Sequence, residues 1–600
     1  MSKPHGQLRQ SQVITTYGPG AMLDLPNHSV LVAGLDYWTG QGDEILEARL
    51  VEKLKRLLEL PALKLFTPPP DPQDPAAPQT GISAWQFPEW FITQDVEIDG
   101  RSSAIRSRML VPRKALTRGK YIDHNRKKRN VVPIRFVRAC SAGHIGDIDW
   151  FEYVHQGNSE CRRQLWIDER GTSGVLSEVW IRCECKAQRP MTDASLPDRH
   201  ALGSCDGSRP WLGKYTNEPC GQPNRLLIRT ASNAYFSQLM SVISLPDRDD
   251  DVSEAVDAVW DFLEEVENAE QVKYERRKAR VKAALEGITD EDVFAEISSR
   301  RGGVQEQPKS VKQAELETLI AADEELGDDR PDGNFFARSF PRQQWDRPWM
   351  DAVERLVLVH RLREVVALVG FTRFEAASPD IEGELEMGVR RAALARETTW
   401  LPAVENRGEG VFIQFKKTAI EQWLSRNDVK EHGRKLEAGF DLWKKEHQGS
   451  HRQFPGLPYI LLHSLSHLLI TAVSLECGYP ASSIRERIYA LSDVGYGILL
   501  FTGSSDAEGT LGGLIQVGRK IHEHIHDALL LGDLCSNDPV CAQHQPDNPH
   551  EKRFLHGAAC HGCLLIAETS CEHHNDFLDR ALVVPTVENL GVEFFGHTSL

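Results

Sequence analysis

Apolar residues recur at two spacings along the first third of the chain. Leucines between Asp43 and Leu60 recur at helical spacing, which predicts a helix there. The runs SAWQFPEWFI, from residue 83, and VVPIRFVR, from residue 131, are rich in aromatic and β-branched residues, which favour strands. Strand-like runs then continue to about residue 230. This part of the chain is therefore predicted to be β-rich.

The pattern becomes helical in the middle of the chain. Ala, Glu, Lys and Leu recur with a period of 3.6 residues from Val252 to about Ala322. Beyond it we predict a long helix around Trp349 to Leu368, a strand at VFIQF (411–415), and a polar helix to about Gln448. An apolar helix, Leu457 to Leu475, opens the last block.

The apolar helix Leu457 to Leu475 is the best candidate for a membrane span. Pro458, His463, His467 and two serines interrupt it, and a bilayer core disfavours such residues. We therefore expect a helix buried inside the protein and no membrane association. The opening MSKPHGQLRQ has no apolar signal region, so the expected location is the cytoplasm, where thiols stay reduced.

The length of 600 residues is too great for one hydrophobic core and predicts several domains. The expected fold class is α+β multidomain, with a β-rich, zinc-bearing N-terminal half, a helical middle and a mixed α/β C-terminal domain. The six prolines of Thr67 to Thr80 mark a loop. The predicted division is an N-terminal α/β region (1–135), a Cys-rich zinc domain (136–230), a helical insertion (231–330), a helical or mixed linker domain (331–450) and a C-terminal zinc domain (451–600).

The twelve cysteines fall in two separate regions, 140–220 and 477–571. In reduced thiols such clustering favours metal binding over disulfides. Four cysteines of the first region have a spacing that can close a tetrahedral zinc site, with buried free thiols as the alternative: Cys183, Cys185, Cys205 and Cys220. Cys140, with His144 four residues on, is a partial second site without an evident fourth ligand, and Cys140 and Cys161 are otherwise core residues.

The second region carries the stronger signal, because CHGC at 560–563 is a knuckle that presents two thiolates to one metal. Five cysteines compete for four places. We favour Cys535, Cys541, Cys560 and Cys563, with Cys571 as the substitute. Four thiolates leave no open position for a reactive water, so the expected cofactor is structural Zn²⁺, one or two ions.

Charge is distributed unevenly. The chain has 70 Lys and Arg against 87 Asp and Glu, a net charge of −17. Residues 101–138 hold thirteen Lys and Arg and the single acid Asp123, so this stretch carries +12 and the rest −29. Such a concentration can neutralise phosphates. The candidate DNA-binding residues are Arg113, Lys114, Arg118, Lys120, Arg126, Lys127, Lys128 and Arg129, and the aromatics that can stack on bases are Trp85, Phe87, Trp90 and Phe91. The alternatives are a solvated loop, a patch for an acidic protein, and core aromatics.

Motifs for catalysis are weak. The run from Gly513 to Ile521 lacks the Lys-Ser/Thr ending of a phosphate loop, so we predict no ATPase. The pair His463 and His467 has no intervening acid that would serve as a zincin base, which favours packed core histidines. The run His573-His574-Asn575 suggests, as the alternative function, a zinc-supported nuclease of the His-Asn-His type. No catalytic residue is assigned.

Several segments carry a family resemblance. They are RQSQVITTYGPGAMLDLPNHSVLVAGLDYW, RACSAGHIGDIDW, LLIRTASNAYFSQLMSVISLP, LPYILLHSLSHLLI, SSIRERIYAL, EGTLGGL and HGAACHGCLLIAETSCEHHNDFLDR. Together they resemble the DrmB component of the bacterial DISARM antiphage systems over nearly the whole chain. The C-terminal part also resembles a zinc-binding domain at the end of certain bacterial helicases.

The resemblance implies a subunit that pairs with the DISARM helicase DrmA and shares DNA with it as ligand. It also implies a DNA methyltransferase and a phospholipase-D-like protein as further members of the system. It covers the cysteines named above and supplies no catalytic residue. Many relatives have a CxxC pair where this chain has Phe91-Ile-Thr-Gln94, a departure that argues against a second zinc around Cys140.

Overall fold

The computed structural model describes residues 8–25, 28–70, 81–98, 105–123, 125–246, 252, 255–256, 258–285, 288–302, 309–322, 324–330, 333–376, 380, 382–385, 389–447, 450, 452–477, 480–503 and 513–596. Helices and sheets both recur through these residues, so the chain is an α+β protein, as predicted. Most of the Pro-rich loop and the Gly-rich turn region at 504–512 lie outside the described residues.

The N-terminal third is mainly β-structure, with short helices at Gln10–Thr15, Ala48–Leu58, Trp150–His155 and Thr192–Ser195. A nine-stranded sheet has the spatial order Gln188–Pro190, Val179–Cys183, Leu165–Glu169, Arg106–Pro112, Trp90–Thr93, Lys128–Pro133, Lys120–Ile122 and Leu116–Thr117, with Glu97–Ile98 paired to Arg106–Pro112. Two three-stranded sheets flank it: Met22–Leu25, His28–Val32 and Ala84–Gln86; and Ile145–Gly146, Phe136–Ala139 and Arg225–Ile228. The predicted β-rich character is confirmed.

A large central sheet contains the longest strands. Its order is Glu325–Gly327, Phe335–Ser339, Val353–Thr372, Trp400–Phe415, Gly495–Thr502 and Ile484–Leu491. Phe236–Ile243 pairs antiparallel with Val353–Thr372, and Lys64–Phe66 pairs parallel with Trp400–Phe415. The strand predicted at 411–415 is confirmed as the end of Trp400–Phe415.

The helix predicted around Trp349 to Leu368 is wrong, because these residues enter the strand Val353–Thr372. The segment VERLVLVHRLREVVALVGFT is dense in valine, which favours a pleated surface. Its apolar residues are buried on both sides of the sheet, so apolar and polar residues do not alternate clearly along the strand. The spacing of apolar residues therefore does not distinguish this strand from a helix.

The middle of the chain is helical, as predicted. Its helices are Trp260–Leu263, Ala269–Glu275, Ala279–Ala284, Asp290–Gly302 and Val311–Ile320. The first four surround a small apolar cluster that includes Val259, Val272, Val281 and Ile297. Helix Val311–Ile320 instead packs on the central sheet through Leu316 and Leu319. The five-domain division stays a prediction.

The C-terminal part covers one face of the central sheet with helices at Lys417–Ser425, Asn427–Glu446, Leu457–Cys477, Gly513–Arg519 and Ile521–Asp533. The segment Leu457–Glu476 is long and apolar enough to cross a membrane, but 78% of its most apolar window is buried inside the protein. It therefore has the position of a core helix, as expected.

One buried ion pair ties the helix Asn427–Glu446 to the C-terminal turns. His432 Nε2 lies 2.6 Å from Asp579 Oδ2, and Asp579 also accepts backbone N–H groups of Ala558 and Ala581. Burial disfavours the charged imidazole, but Asp579 outweighs burial and raises the pKa of His432. A raised pKa means that this stabilisation is present below the unfolded value and is lost as pH rises through the folded value.

We therefore expect His432→Gln to weaken the C-terminal block more at pH 6 than at pH 9. The local loss at pH 6 should be about 1–3 kcal/mol, because a hydrogen bond to a charged group is removed. Hydrogen exchange of the helix Asn427–Glu446 measures this local stability. His550→Gln, at an exposed histidine, is the matched control. An effect of equal size at both pH values would contradict the assignment.

Candidate metal centres

Four cysteines near the C-terminus converge, and we call them the C-terminal knuckle: Cys535, Cys541, Cys560 and Cys563. The sulfurs of Cys535 and Cys560 lie 3.5 Å apart, those of Cys541 and Cys563 3.8 Å, and those of Cys560 and Cys563 3.7 Å. A tetrahedral zinc with Zn–S bonds of about 2.3 Å separates its sulfurs by about 3.8 Å. The geometry thus matches the favoured set, and zinc is the metal that these donors fit.

The knuckle is shaped by backbone donors and one buried arginine. The N–H groups of Asn537 and Gly562 point at the sulfurs of Cys535 and Cys560, at 3.4 and 3.3 Å. Arg580 has no exposed surface, and it binds both carboxylate oxygens of Asp538. These contacts fix the loops that carry the thiols, so the ligand positions are set by the fold.

The thiols of the knuckle influence one another. Hydrogen bonding from Cys541 lowers the pKa of Cys563 to about 6, and burial raises that of Cys535 to about 11. Hydrogen bonding to Cys563 and burial raise the pKa of Cys541. Close thiolates repel, so the four cannot all ionise without a cation between them. Zinc supplies that cation and displaces the remaining protons.

A second set of donors lies in the N-terminal part, and we call it the Cys140 group: Cys140, His144, Cys205 and Cys220. His144 Nδ1 is 3.3 Å from the sulfur of Cys140 and 3.5 Å from that of Cys205. On its other side, His144 Nε2 contacts Glu218 at 2.8 Å, the arrangement that orients a metal-binding imidazole. Burial lowers the pKa of His144, which favours the neutral, ligating form.

A third set, the Cys183 group, consists of His155, Cys161, Cys183 and Cys185. His155 donates from Nδ1 to the carbonyl of Phe151 at 2.7 Å, which leaves Nε2 facing Cys185 at 3.2 Å. The sulfurs of Cys161 and Cys183 lie 3.6 Å apart. Two thiolates from one turn, a third thiolate and an imidazole form a four-donor set suited to zinc.

The single N-terminal site predicted from Cys183, Cys185, Cys205 and Cys220 is therefore wrong as a set, because its members divide between two groups. The physical reason is topological. The strand Val179–Cys183 and the turn after it bring Cys183 and Cys185 next to the helix Trp150–His155. The loop 204–222 brings Cys205 and Cys220 to the turn that follows the strand Phe136–Ala139. The sequence analysis considered His144, four residues after Cys140, but missed His155, which lies six residues before Cys161 and is a signal for the second group.

The departure at Phe91-Ile-Thr-Gln94 does not prevent a group around Cys140, since all four of its donors come from residues 140–220. Cys571 is not part of the C-terminal knuckle. It lies instead beside His463, His467 and Glu486, all of them buried.

The part of the basic stretch from Leu116 to Asn130 lies at one edge of the nine-stranded sheet. Arg118 lies at the turn between Leu116–Thr117 and Lys120–Ile122, and Arg126 in the turn before Lys128–Pro133; both have positive φ. Seven of the eight candidate residues are exposed: Arg113, Lys114, Arg118, Lys120, Arg126, Lys127 and Lys128. The eighth, Arg129, is half-buried and donates to Asp123 at 2.9 Å.

Asp123 organises this edge. Its carboxylate also accepts the backbone N–H groups of Asn125 and Lys127. Desolvation opposes ionisation, but these bonds and Arg129 together lower the pKa of Asp123. The one acid of the stretch therefore shapes the turn that displays Arg126, Lys127 and Lys128.

The four aromatics proposed for stacking differ in exposure. Phe87 and Phe91 are core residues, and Trp90 packs edge-on against Phe151, so stacking on bases by these three is not supported. Trp85 is 38% exposed and lines a cavity of about 640 Å³. That cavity also has Tyr37, Arg113 and Lys214 on its wall.

The run His573-His574-Asn575 lies in a series of turns, and the described residues 571–579 contain no ββα unit. The side-chain amide of Asn575 accepts the backbone N–H of Ile566 at 2.9 Å and donates to the carbonyl of the same residue at 3.0 Å. His573 is buried against Tyr459. These contacts are structural, and they place no open metal position at the run.

The fold and the donor groups define a class: an α+β protein with a structural zinc knuckle of four cysteines in its turn-rich C-terminal part. Two family matches agree with it. Residues 9–236 match a domain of unknown function, DUF8724, and residues 465–564 match the MrfA Zn-binding domain, which contains the whole C-terminal knuckle. Structural zinc is thus supported by both the geometry and the family.

A curated relative extends the match to nearly the full length. The chain is 30% identical over 595 residues to the DISARM protein DrmB of Bacillus paralicheniformis, covering 96% of this chain and 99% of the relative. The chain therefore belongs to the DISARM protein DrmB family, and it is a component of that bacterial antiviral defence system.

We expect the double variant Cys560→Ser, Cys563→Ser to lose one equivalent of zinc relative to the unaltered chain, because two of four ligands are removed. Elemental analysis of the purified full chain measures this. Ser536→Ala, which removes a hydroxyl beside the knuckle but no ligand, is the control. Full metal content in the double variant would refute the knuckle as a zinc site.

Proposed function

We propose that this chain is a non-catalytic subunit of a DISARM complex, which binds the DrmA-like helicase of the system and contributes part of the DNA-binding surface. The observation that carries the proposal is the match to a DISARM protein over 96% of the chain. A cytoplasmic location, and a DNA methyltransferase and a phospholipase-D-like protein as further partners, belong to the same proposal.

The metal groups support a scaffold role. Three closed four-donor sets leave no position for a reactive water, which suits ions that hold loops in place. In this proposal the Cys140 group and the Cys183 group each bind one structural zinc, in addition to the C-terminal knuckle. The helicase would supply ATP hydrolysis.

Charge supports a local DNA contact. Outside residues 101–138 the chain carries −29, so its surface on average repels a polyanion. The exposed cations of the sheet edge are the exception, and Arg113 extends that edge to the cavity with Trp85 and Lys214. A basic edge beside an exposed aromatic is the arrangement that holds single-stranded or partly opened DNA.

We expect the triple variant Arg126→Ala, Lys127→Ala, Lys128→Ala to weaken DNA binding by the helicase complex roughly 10-fold or more at low salt. The slope of log K against log salt should fall by about 2–3, because each lost phosphate contact removes about 0.7–0.9. Fluorescence anisotropy across a salt series gives both quantities. Asp123 and Arg129 are left intact so that the turn keeps its shape.

The matched control removes the same charge elsewhere: Lys273→Ala, Arg277→Ala, Lys282→Ala, three exposed residues of the helical middle. Equal losses in both triple variants would mean that binding reflects total charge, and the basic edge would then have no specific role.

Helicase pairing is tested by copurification of the full chain with a tagged DrmA-like subunit, where we expect a stable complex. The same preparation is incubated with labelled DNA and Mg²⁺ or Mn²⁺. We expect no cleavage product that depends on this chain. A product that disappears in His574→Ala would overturn the non-catalytic role in favour of a nuclease.

A further inference from the structure

Four side chains from three separate segments meet in the core beneath the C-terminal knuckle, and we call them the buried His–Glu–Cys group: His463, His467, Glu486 and Cys571. The helix Leu457–Cys477 places the two histidines one turn apart, and the strand Ile484–Leu491 supplies Glu486. Both imidazoles and the carboxylate have no exposed side-chain surface. Cys571 comes from the turn segment and is 7% exposed.

The donor atoms point at one another. His463 Nε2 lies 3.1 Å from the sulfur of Cys571 and 3.0 Å from Glu486 Oε1. His467 Nε2 lies 3.3 Å from the same carboxylate oxygen. All four ligand atoms are within 4.8 Å of one another, a separation that one ion in the middle can bridge.

Outer contacts fix both imidazoles in the ligating orientation. His463 Nδ1 contacts the carbonyl of Phe577 at 3.2 Å, and His467 Nδ1 contacts that of Leu564 at 2.8 Å. A carbonyl only accepts, so each Nδ1 carries a hydrogen, and in the neutral imidazole each Nε2 then presents a lone pair inward. This use of backbone carbonyls to orient histidine is typical of metal ligands.

Cys571 has the backbone surroundings of the knuckle cysteines. The N–H of His573, two residues on, points at its sulfur at 3.4 Å, as those of Asn537 and Gly562 do at Cys535 and Cys560. A second N–H, from Asn575, lies at 3.1 Å. These two donors favour the thiolate and offset part of the burial that raises the pKa of the Cys571 thiol.

A divalent cation would balance the charge of this group in its ligating form. Two neutral imidazoles, one carboxylate and one thiolate total −2, and burying that charge unpaired is very costly. A dication makes the site neutral. The rival arrangement, a proton shared between an imidazole and Glu486, leaves the second inward Nε2 without a hydrogen and gives the two N–H groups at Cys571 no anion to stabilise.

We propose that His463, His467, Glu486 and Cys571 bind a further zinc ion in a closed, four-coordinate site. The donor set of two nitrogens, one sulfur and one oxygen suits zinc. The match to the MrfA Zn-binding domain spans residues 465–564 and so excludes His463 and Cys571. The carbonyl that orients His467 belongs to Leu564, the residue directly after the knuckle ligand Cys563. The proposed ion and the knuckle zinc would therefore hold the same loop in place.

Cys571→Ser is expected to lose one equivalent of zinc, in addition to and independently of the equivalent lost in Cys560→Ser, Cys563→Ser. The comparison uses the difference from the unaltered full chain, so it does not depend on how many N-terminal sites are filled. Thr471→Ser, on the same helix and one turn beyond His467, is the matched control and should keep its full metal content. Unchanged zinc in folded Cys571→Ser would overturn the proposal.

A second measurement does not depend on any variant folding. Anomalous diffraction at the zinc edge from crystals of the unaltered chain should show a peak between the four donors, about 2.0–2.3 Å from each. A map with peaks at the cysteine groups and none here would overturn the site while leaving the proposed function untouched. Failure of DNA binding or of helicase pairing would contradict the proposed function and leave the zinc site untouched.

Discussion

The antiparallel pairing of Val353–Thr372 with Trp400–Phe415 is the contact on which the rest of the molecule depends. Because successive side chains of a strand point to opposite faces, Leu356 and Leu358 enter the core beneath the C-terminal helices, whereas Val357 and Val359 enter the core around helix Val311–Ile320. Farther along, Val365 to Phe371 contribute to the core of the N-terminal part. Three cores thus share one pair of strands, and the regions that look separate in sequence are joined through it.

Buried ion pairs attach the flanking segments to this sheet. Arg363 on the long strand contacts Glu47 at 3.2 Å, at the start of the helix Ala48–Leu58. Arg487 on the edge strand contacts Glu315 at 2.8 Å, on the helix Val311–Ile320. Such pairs add little net stability, since desolvation opposes them, but removing one partner leaves a buried charge. They therefore favour one position of each segment on the central sheet over alternative positions.

The sequence predicted the secondary structure of most segments better than it predicted which distant residues come together. The β-rich start, the helical middle and the core helix Leu457–Cys477 follow from spacing and composition, which are local properties. Val353–Thr372 was misassigned because a strand buried on both faces has no alternation to distinguish it from a helix. The knuckle was found because its ligands are close in sequence. The N-terminal cysteines were grouped wrongly, because only the sheet topology brings His155 to Cys183 and His144 to Cys205.

The C-terminal knuckle lies where regular structure is sparse. Between residues 534 and 596, all described, the one helical element is the short turn Arg580–Leu582, and no strand is present. A segment of this length without hydrogen-bonded ladders has few ways to offset its conformational entropy. Side-chain ligands and buried polar contacts such as Arg580 with Asp538 take the place of those ladders. The turns pack against the helix Leu457–Cys477 in the same core, so the contacts that hold the turns also support the position of this helix on the central sheet.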